Sequence, residues 1–381
     1  MKIAVVHSFY SSAQPSGENR VVEDQVSLLR EAGHDVRLVM RHTDGESDTA
    51  GYALRSGIRV ATGRGGSPLR QIREIQPDVV HVHNLFPNFG TRWLGKWNGP
   101  VVVSLHNYRA FCSNALFYRR GRVCFDCVES GELNAFVHAC YRDSRMATFP
   151  VAMSRRMDRK KIVSGASAVV TTSEGADKVL DSLLSSGTKR VLIPNFGRGK
   201  AQQPLADQDR SGWIAMGRFS PEKGFLELID QWPGDESLTV IGDGELREAV
   251  LAAATKKKGV EVADSLPIEE LRARLPRFRG LVFPSRWLEV APQVVVEAMR
   301  VGLPVIAYEA NVVASLVVTT GSGLAYSEPA SLASCLASVS DRLEYFSERA
   351  SQYYADNWTP ETWLTRMTAL YDDVLKRSGH P

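Results

Sequence analysis

Short apolar runs alternate with stretches of helical period along nearly the whole chain. In the first half the runs fall at residues 3–6, 36–40, 79–82, 101–105, 168–171 and 191–193. They are rich in Val and Ile and continuous rather than alternating with polar residues, which predicts strands covered on both faces. Helical patterns at 18–32 and 174–185 lie between them. The second half keeps the rhythm. Its strands are predicted at 213–216, 238–241, 281–283 and 305–308, and its helices at 222–231, 245–254, 268–274 and 293–301. Strand–helix alternation of this kind makes parallel sheets with helices on both faces.

Residues 197–212 break the rhythm with three Gln, two Asp and little that packs, and read as an interdomain linker. The predicted architecture is α/β, with two Rossmann-like domains at residues 1–196 and 213–358 facing each other across a cleft. Residues 359–381 hold a last helix, at 360–376, with Trp363, Leu364, Met367, Leu370, Tyr371 and Val374 at helical spacing. It is expected to return to the N-terminal domain. Ligands of such sheets bind beyond the carboxyl ends of the strands. The architecture alone fixes no reaction.

Composition narrows the classes. The 381 residues suit two domains, and 44% hydrophobic with 23% charged residues is ordinary for a globular chain. A net charge of +3 is too mild for a dedicated nucleic-acid binder, so no nucleic-acid partner is expected. No apolar run approaches the roughly 20 residues that span a bilayer. The opening MKIAVVHSFY turns polar too soon for a signal peptide and reads as a first buried strand. A cytoplasmic location follows, where cysteines are thiols or metal ligands more often than disulfides.

The densest chemistry lies in residues 284–309, PSRWLEVAPQVVVEAMRVGLPVIAYE. A buried strand ends, a loop carries Glu289, a helix opens at Pro292 or Gln293, and Glu297 follows in its early turns. Proline suits a helix start, and the free amides of Gln293 and Val294 make an anion site fit for a diphosphate. Spacing alone equally allows a loop charge at Glu289 and a solvated helix residue at Glu297. Arg218 and Lys223, taken alone, read as a solvated surface pair.

These segments also form an ordered set. The Glu289-x7-Glu297 spacing resembles the signature of family 4 of the retaining glycosyltransferases, which have the two-domain GT-B fold. MGRFSPEKGFLELI (216–229) resembles that family's Gly-Arg-x4-Lys-Gly element. VIGDGELRE (240–248), with Gly242, resembles its Gly-x-Gly strand end, and GLPVIA (302–307) the sequel to its second glutamate. In the first half PSGENRVVEDQVSLLREAGHDV resembles its Gly-rich loop and first helix, and PDVVHVHN and VVVSLHNYR its next strand ends. The resemblance covers most of the chain. It implies an acceptor-binding N-terminal domain and a C-terminal domain that binds a nucleotide sugar, with UDP favoured over GDP.

By position, the resemblance implies that Glu297 holds the ribose hydroxyls and Glu289 the donor sugar, while Arg218 and Lys223 neutralise the diphosphate. Gly17 would let backbone approach the phosphate, although Ser16 stands where the family often has a second glycine. His106 would face the transferred sugar; His81 and His83, alternating on a neighbouring strand end, complicate that choice. The implied reaction moves a sugar with retention to a hydroxyl or amine of a glycan, lipid-linked or small-molecule acceptor, with no catalytic cofactor or metal. The competing readings are a nucleotide-sugar epimerase or hydrolase on the same fold, and a non-catalytic nucleotide- or carbohydrate-binding protein.

Two further features stand apart. Cys112, Cys124, Cys127 and Cys140 fall in an insertion-like stretch at about 107–145, where the Cys124-x2-Cys127 pair has zinc-knuckle spacing. A structural zinc is the favoured reading; free thiols, disulfides and an iron–sulfur cluster remain open. Near the following helix, Arg155, Arg156, Arg159, Lys160 and Lys161 stand against Asp158. They form either a patch for a peripheral contact at the inner membrane face or with a phosphorylated lipid acceptor, or a solvated helix face.

Overall fold

The computed structural model describes residues 1–9, 17–44, 51–184 and 187–378. The chain divides into two compact units. The first comprises residues 1–119, 124–195 and 363–381, and the second residues 120–123 and 196–362. Strands of the first half are β1 (Lys2–Phe9), β2 (Asp35–His42), β3 (Val79–Asn84), β4 (Val101–Leu105), β5 (Tyr118–Arg119), β6 (Arg122–Val123), β7 (Ala168–Thr171) and β8 (Arg190–Leu192). Six of them make one parallel sheet in the order β2-β1-β3-β4-β7-β8. The order reverses between β1 and β3, which leaves a crevice at their carboxyl ends. The pair β5–β6 is a separate ribbon within the cysteine-rich stretch.

The second unit holds β9 (Trp213–Arg218), β10 (Leu238–Asp243), β11 (Val260–Ala263), β12 (Gly280–Phe283), β13 (Val305–Tyr308) and β14 (Gly323–Tyr326). They form a parallel sheet in the order β11-β10-β9-β12-β13-β14. This is the strand order of the doubly wound nucleotide-binding fold, with its reversal between β9 and β12.

Alternation within the apolar runs shows why they are continuous. Ile214, Met216, Leu281, Phe283, Val305 and Ala307 point into a core shared with Val295, Val296 and Met299 of the helix Gln293–Arg300. Their neighbours Trp213, Ala215, Val282 and Ile306 point the other way, against Phe225, Leu228 and Ile229 of the helix Phe225–Gln231. Each face of the strand meets its own helix layer, so neither face needs polar residues.

Four elements depart from expectation. The strands β11 and β14 were not foreseen; both are edge strands whose apolar run is broken, by Glu261 in VEVA and by Gly323 in GLAY. The expected helix 222–231 is a 3-10 turn Pro221–Lys223 and a helix separated by Gly224. The stretch 197–212, expected as a linker, is fastened within the second unit. The hydroxyl of Tyr354 donates to the carbonyls of Gly197 (2.9 Å) and Gly199 (2.6 Å). Arg210 is buried and donates to Ser347 Oγ at 2.9 Å. A polar segment packs here because its own backbone carbonyls and one guanidinium find partners, a feature that composition does not reveal.

The last helix, Pro360–Arg377, buries Trp363, Met367, Leu370, Tyr371 and Val374, and from Trp363 onward it is counted with the first unit. Tyr371 Oη lies 2.7 Å from His81 Nδ1, and Lys189 pairs with Asp373. Both rings of the first contact are fully buried. Tyr371→Phe leaves a buried imidazole nitrogen without its partner and is expected to cost about 1–3 kcal/mol. A fall in the urea unfolding midpoint at constant slope reads this out; an unchanged midpoint would show that the hydroxyl contributes nothing to the tie.

Candidate active site

In the second unit two strand ends flank the sheet reversal. β9 ends at Arg218 and leads through the turn Pro221–Lys223 to Gly224. β12 ends at Phe283 and leads through Glu289 to Pro292, which caps the helix Gln293–Arg300. Gly224 has φ +70°, and a Cβ there would lie 2.3 Å from the Pro284 carbonyl oxygen. Only glycine lets the two loops pass this closely.

That approach brings Lys223 Nζ to 2.5 Å from Glu289 Oε1. Ser285 Oγ donates to the same oxygen at 2.7 Å, and the Lys223 ammonium sits 5.3 Å from the centre of the Trp287 ring. Glu289 is 3% exposed, and its Oε2 makes no hydrogen bond among the described residues. Asn311 holds the loop from below. Its Nδ2 donates to the carbonyls of Ser285 (3.1 Å) and Trp287 (2.8 Å), while its Oδ1 caps the helix Val312–Thr320.

Glu297 is buried and already oriented. Arg272 grips it with both arms of its fork, Nη2 to Oε1 at 2.6 Å and Nε to Oε2 at 3.0 Å. Arg300 Nε reaches Oε2 at 3.1 Å. A carboxylate has about four acceptor positions, so Oε1, with one donor, keeps a lone pair for a further hydroxyl. The Arg300 partnership is the i,i+3 neighbour a helix provides and was open to sequence reasoning. Arg272 comes from the separate helix Ile268–Arg274 and carried no local signal.

The other expected donor residues surround this pair. Arg218 is 65% exposed and lies 3.5 Å from Glu222 Oε1; the buried Glu222 also accepts from Ser220 Oγ at 2.7 Å. The first amides of the helix, at Gln293 and Val294, take no backbone partner, while Val295 already bonds back to Pro292. Gln293 Nε2 is enclosed with no partner among the described residues. Gly242 has a packing reason for its identity: a Cβ would fall 2.0 Å from the Gly217 carbonyl oxygen.

In the first unit the strand ends gather four imidazoles where one was expected. His83 Nδ1 lies 2.9 Å from His106 Nε2 with the rings stacked, and the His81 and His83 rings are 4.1 Å apart. His81 Nε2 meets Ser104 Oγ at 2.8 Å, and His7 Nε2 meets Asn19 Oδ1 at 3.0 Å. Burial lowers His7 to about 4 and His81 and His106 to about 3, and drives His83 well below its usual range. The cluster is therefore neutral at physiological pH, able to donate and accept hydrogen bonds but carrying no charge. His7, at the end of a strand that read as plain core, was missed.

Beside this cluster, Glu18 opens the helix Gly17–Glu31. Asn107 Nδ2 donates to its Oε2 at 3.0 Å, and its Oε1 has no partner among the described residues. Burial raises its carboxyl to about 7, against the opposing pull of Asn107 and Arg109. Gly17 is the helix's first residue, and an added Cβ meets nothing within 4 Å; Ser16 and the preceding loop lie outside the described residues. A pocket open to solvent is lined by His83, Asn84, His106, Asn107 and Arg109.

One expectation changes on contact with the structure, that of the basic patch. Cys112, Cys124, Cys127 and Cys140 form no disulfide, and burial with mutual repulsion raises Cys124, Cys127 and Cys140, the last to about 12. They share one neighbourhood, but Cys112 turns its thiol to Asn114 Oδ1 at 2.9 Å. Among the described residues no group of three or more His, Cys, Asp or Glu is placed to hold a metal ion. Arg155 cannot face a membrane: it is 4% exposed and donates from Nη1 to the Phe111 carbonyl at 2.7 Å. The Arg156 side chain lies outside the described residues. Arg159 and Lys161 are half-buried, and Lys160 is exposed. Among the described residues no helix is long and apolar enough to cross a membrane.

Residues 16–195 match the family described as "Glycosyl transferase 4-like domain", and residues 210–342 match "Glycosyl transferases group 1". TuaC of Bacillus subtilis (strain 168), a glycosyltransferase assigned to teichuronic acid biosynthesis, is 24% identical over 359 residues, covering 83% of each chain. Sucrose-phosphate synthase from Thermosynechococcus elongatus superposes with a TM-score of 0.72 at 16% identity, covering 99% of both chains. HepE of Anabaena in complex with UDP-glucose gives 0.62 at 14% identity, covering 98% of this chain and 100% of HepE. These likenesses establish the GT-B fold.

The titrating groups oppose one another in sign. The histidines have folded-state values below their unfolded 6.5, so their contribution is present above that pH and is lost as pH falls. Glu18 is raised from 4.5 to about 7, so its contribution is present at low pH and is lost as pH rises between those values. Four histidines outweigh one carboxyl. Unfolding free energy is expected to fall between pH 6.5 and 5 by at least about 1.4 kcal/mol per pH unit, the slope of one such histidine. Urea titrations across that range measure it, with His81→Gln flattening the slope; a pH-independent midpoint would contradict neutral burial.

Proposed function

This chain belongs to the family 4-type glycosyltransferases, and from that membership we propose that it transfers a sugar from a UDP-sugar, with retention, to a hydroxyl or amine acceptor. The observation that carries the reading is the contact between Lys223 and Glu289, which joins the two loops at the sheet reversal. A cation and a carboxylate side by side beyond the strand ends suit a diphosphate and the sugar attached to it. The UDP-glucose bound by HepE supports the choice of donor.

In this proposal the diphosphate lies against Lys223, Arg218 and the free amides of Gln293 and Val294. Glu297, held by Arg272 and Arg300, accepts from a ribose hydroxyl through the open lone pair on Oε1. Glu289 Oε2 takes a sugar hydroxyl. The acceptor oxygen or nitrogen forms its bond to the anomeric carbon on the face from which the diphosphate departs. The carbon–oxygen bond to phosphate breaks with its electron pair going to the phosphate, which takes the acceptor's proton. Charge growing on the leaving group is met by Lys223 and Arg218, so the step needs no divalent metal. We also assign a structural zinc to the four-cysteine segment, on their spacing. Metal analysis tests that separately: about one zinc per chain, lost in Cys124→Ser with Cys127→Ser, supports it, and a metal-free chain of full stability removes it.

The donor reading is tested by thermal stabilisation with UDP, GDP, ADP and TDP in EDTA. At about 100 times its dissociation constant, UDP should add about 2.7 kcal/mol. Lys223→Ala and Glu297→Ala should weaken this shift, and Glu289→Ala should abolish transfer from UDP-sugars while keeping part of it. Stabilisation by none of the nucleotides would sink the assignment.

A further inference from the structure

Twelve large hydrophobic residues are exposed among the described residues, and eight of them lie on three short stretches of the first unit. Scattered singles would need no account, whereas a cluster marks an interaction surface. Leu54 and Ile58, at i and i+4, are 71% and 54% exposed on the helix Tyr52–Thr62. Leu133, Phe136 and Val137 are exposed on the helix Leu133–Val137. Met146, Phe149 and Met153 form a stripe on the helix Arg145–Gly165, with Met146 88% exposed.

The three helices are neighbours, since the first two both pack against the third. Gly57 faces Pro150 so closely that a Cβ would lie 3.8 Å from the proline ring, and the Phe136 and Phe149 rings are 6.1 Å apart. Apolar stripes at i, i+3 and i+4 normally turn inward. Here the inward side of Arg145–Gly165 is already filled by Thr148, Val151, Ala152, Ser154 and Arg155, and the second stripe faces solvent.

Charge selects the partner. The helix Tyr52–Thr62 carries Arg55 and Arg59 and no acid; on Arg145–Gly165, Arg145 and Lys160 are exposed and Arg159 and Lys161 half-buried, while Arg155 is buried. Apolar side chains that share their helices with exposed basic ones suit a surface that is apolar within and anionic at its rim. The same two helices wall the pocket that reaches His83 and His106, through Arg59, Val60, Val151 and Ile162. We propose that this three-helix face docks on an anionic lipid bilayer, and that the pocket behind it draws its acceptor from that surface. Docking stands independently of the donor reading; only the acceptor clause rests on it.

Flotation of the full chain with vesicles of phosphatidylcholine, with and without phosphatidylglycerol, tests the proposal. The wild type should float with the anionic vesicles, less so in high salt. Phe149→Ser with Met153→Ser should cut the bound fraction at least about tenfold, with melting temperature and stabilisation by UDP unchanged. Met146→Ser, at the most exposed position, gives a milder loss should the double variant be unstable. Absence of binding to anionic vesicles, or binding undiminished in both variants, overturns docking. So does a wild-type dimer that the double variant converts to monomer without any vesicle binding, since the face would then join two copies. Loss of nucleotide stabilisation in the wild type would sink the donor reading and the acceptor clause while leaving docking intact.

Discussion

A parallel sheet covered by helices on both faces can present polar chemistry only at its ends. In the second unit the strands run apolar on either side, so the charged groups emerge at and beyond their last residues; in the first, His7, His81 and His83 lie within the strands β1 and β3 themselves. The reversal in strand order opens a crevice there, between β9 and β12 in one unit and β1 and β3 in the other. Arg218, Lys223 and Glu289 occupy the first; His7, His83 and Glu18 border the second. Everything chemical in the chain depends on this restriction.

Within the second unit, the polar groups are set before any ligand arrives. Glu289 is oriented by Lys223 and Ser285 and Glu297 by two arginines, while Asn311 fixes the loop that leads to Glu289. Leaving a buried carboxylate unpaired would cost several kcal/mol, so the partners are a condition for its being there. They also fix its direction. In the first unit the solution is different: four imidazoles avoid the cost by staying neutral and bonding to one another, to hydroxyls and to an amide.

Much of this was legible in the sequence. Continuous Val- and Ile-rich runs located ten of the twelve strands in the two large sheets, and β11 and β14 escaped because Glu261 and Gly323 break their apolar runs. Glycines and the two glutamates marked the loops at the reversal of the second sheet. What escaped was partnership. Arg272, Ser285 and Asn311 act on residues outside their own local pattern, and nothing in periodicity names a partner across a fold. Arg155 shows the same gap in reverse: it read as part of a solvated basic run, yet a backbone carbonyl 44 residues away draws it inside. The exposed apolar face escaped because a stripe of Met and Phe on a helix reads as core until the structure shows that its core side is already taken.

The path of the chain adds a constraint on time. The first unit is begun by residue 1 and finished only by the segment from Trp363 onward, with the whole second unit synthesised in between. Domains emerging from the ribosome tend to fold from the N-terminus, but here His81 must wait for Tyr371, 290 residues later. The second unit, whose residues 196–362 are nearly continuous, can therefore close first. The half that begins the protein is the last to be completed, and a chain cut short near its end loses its beginning as well.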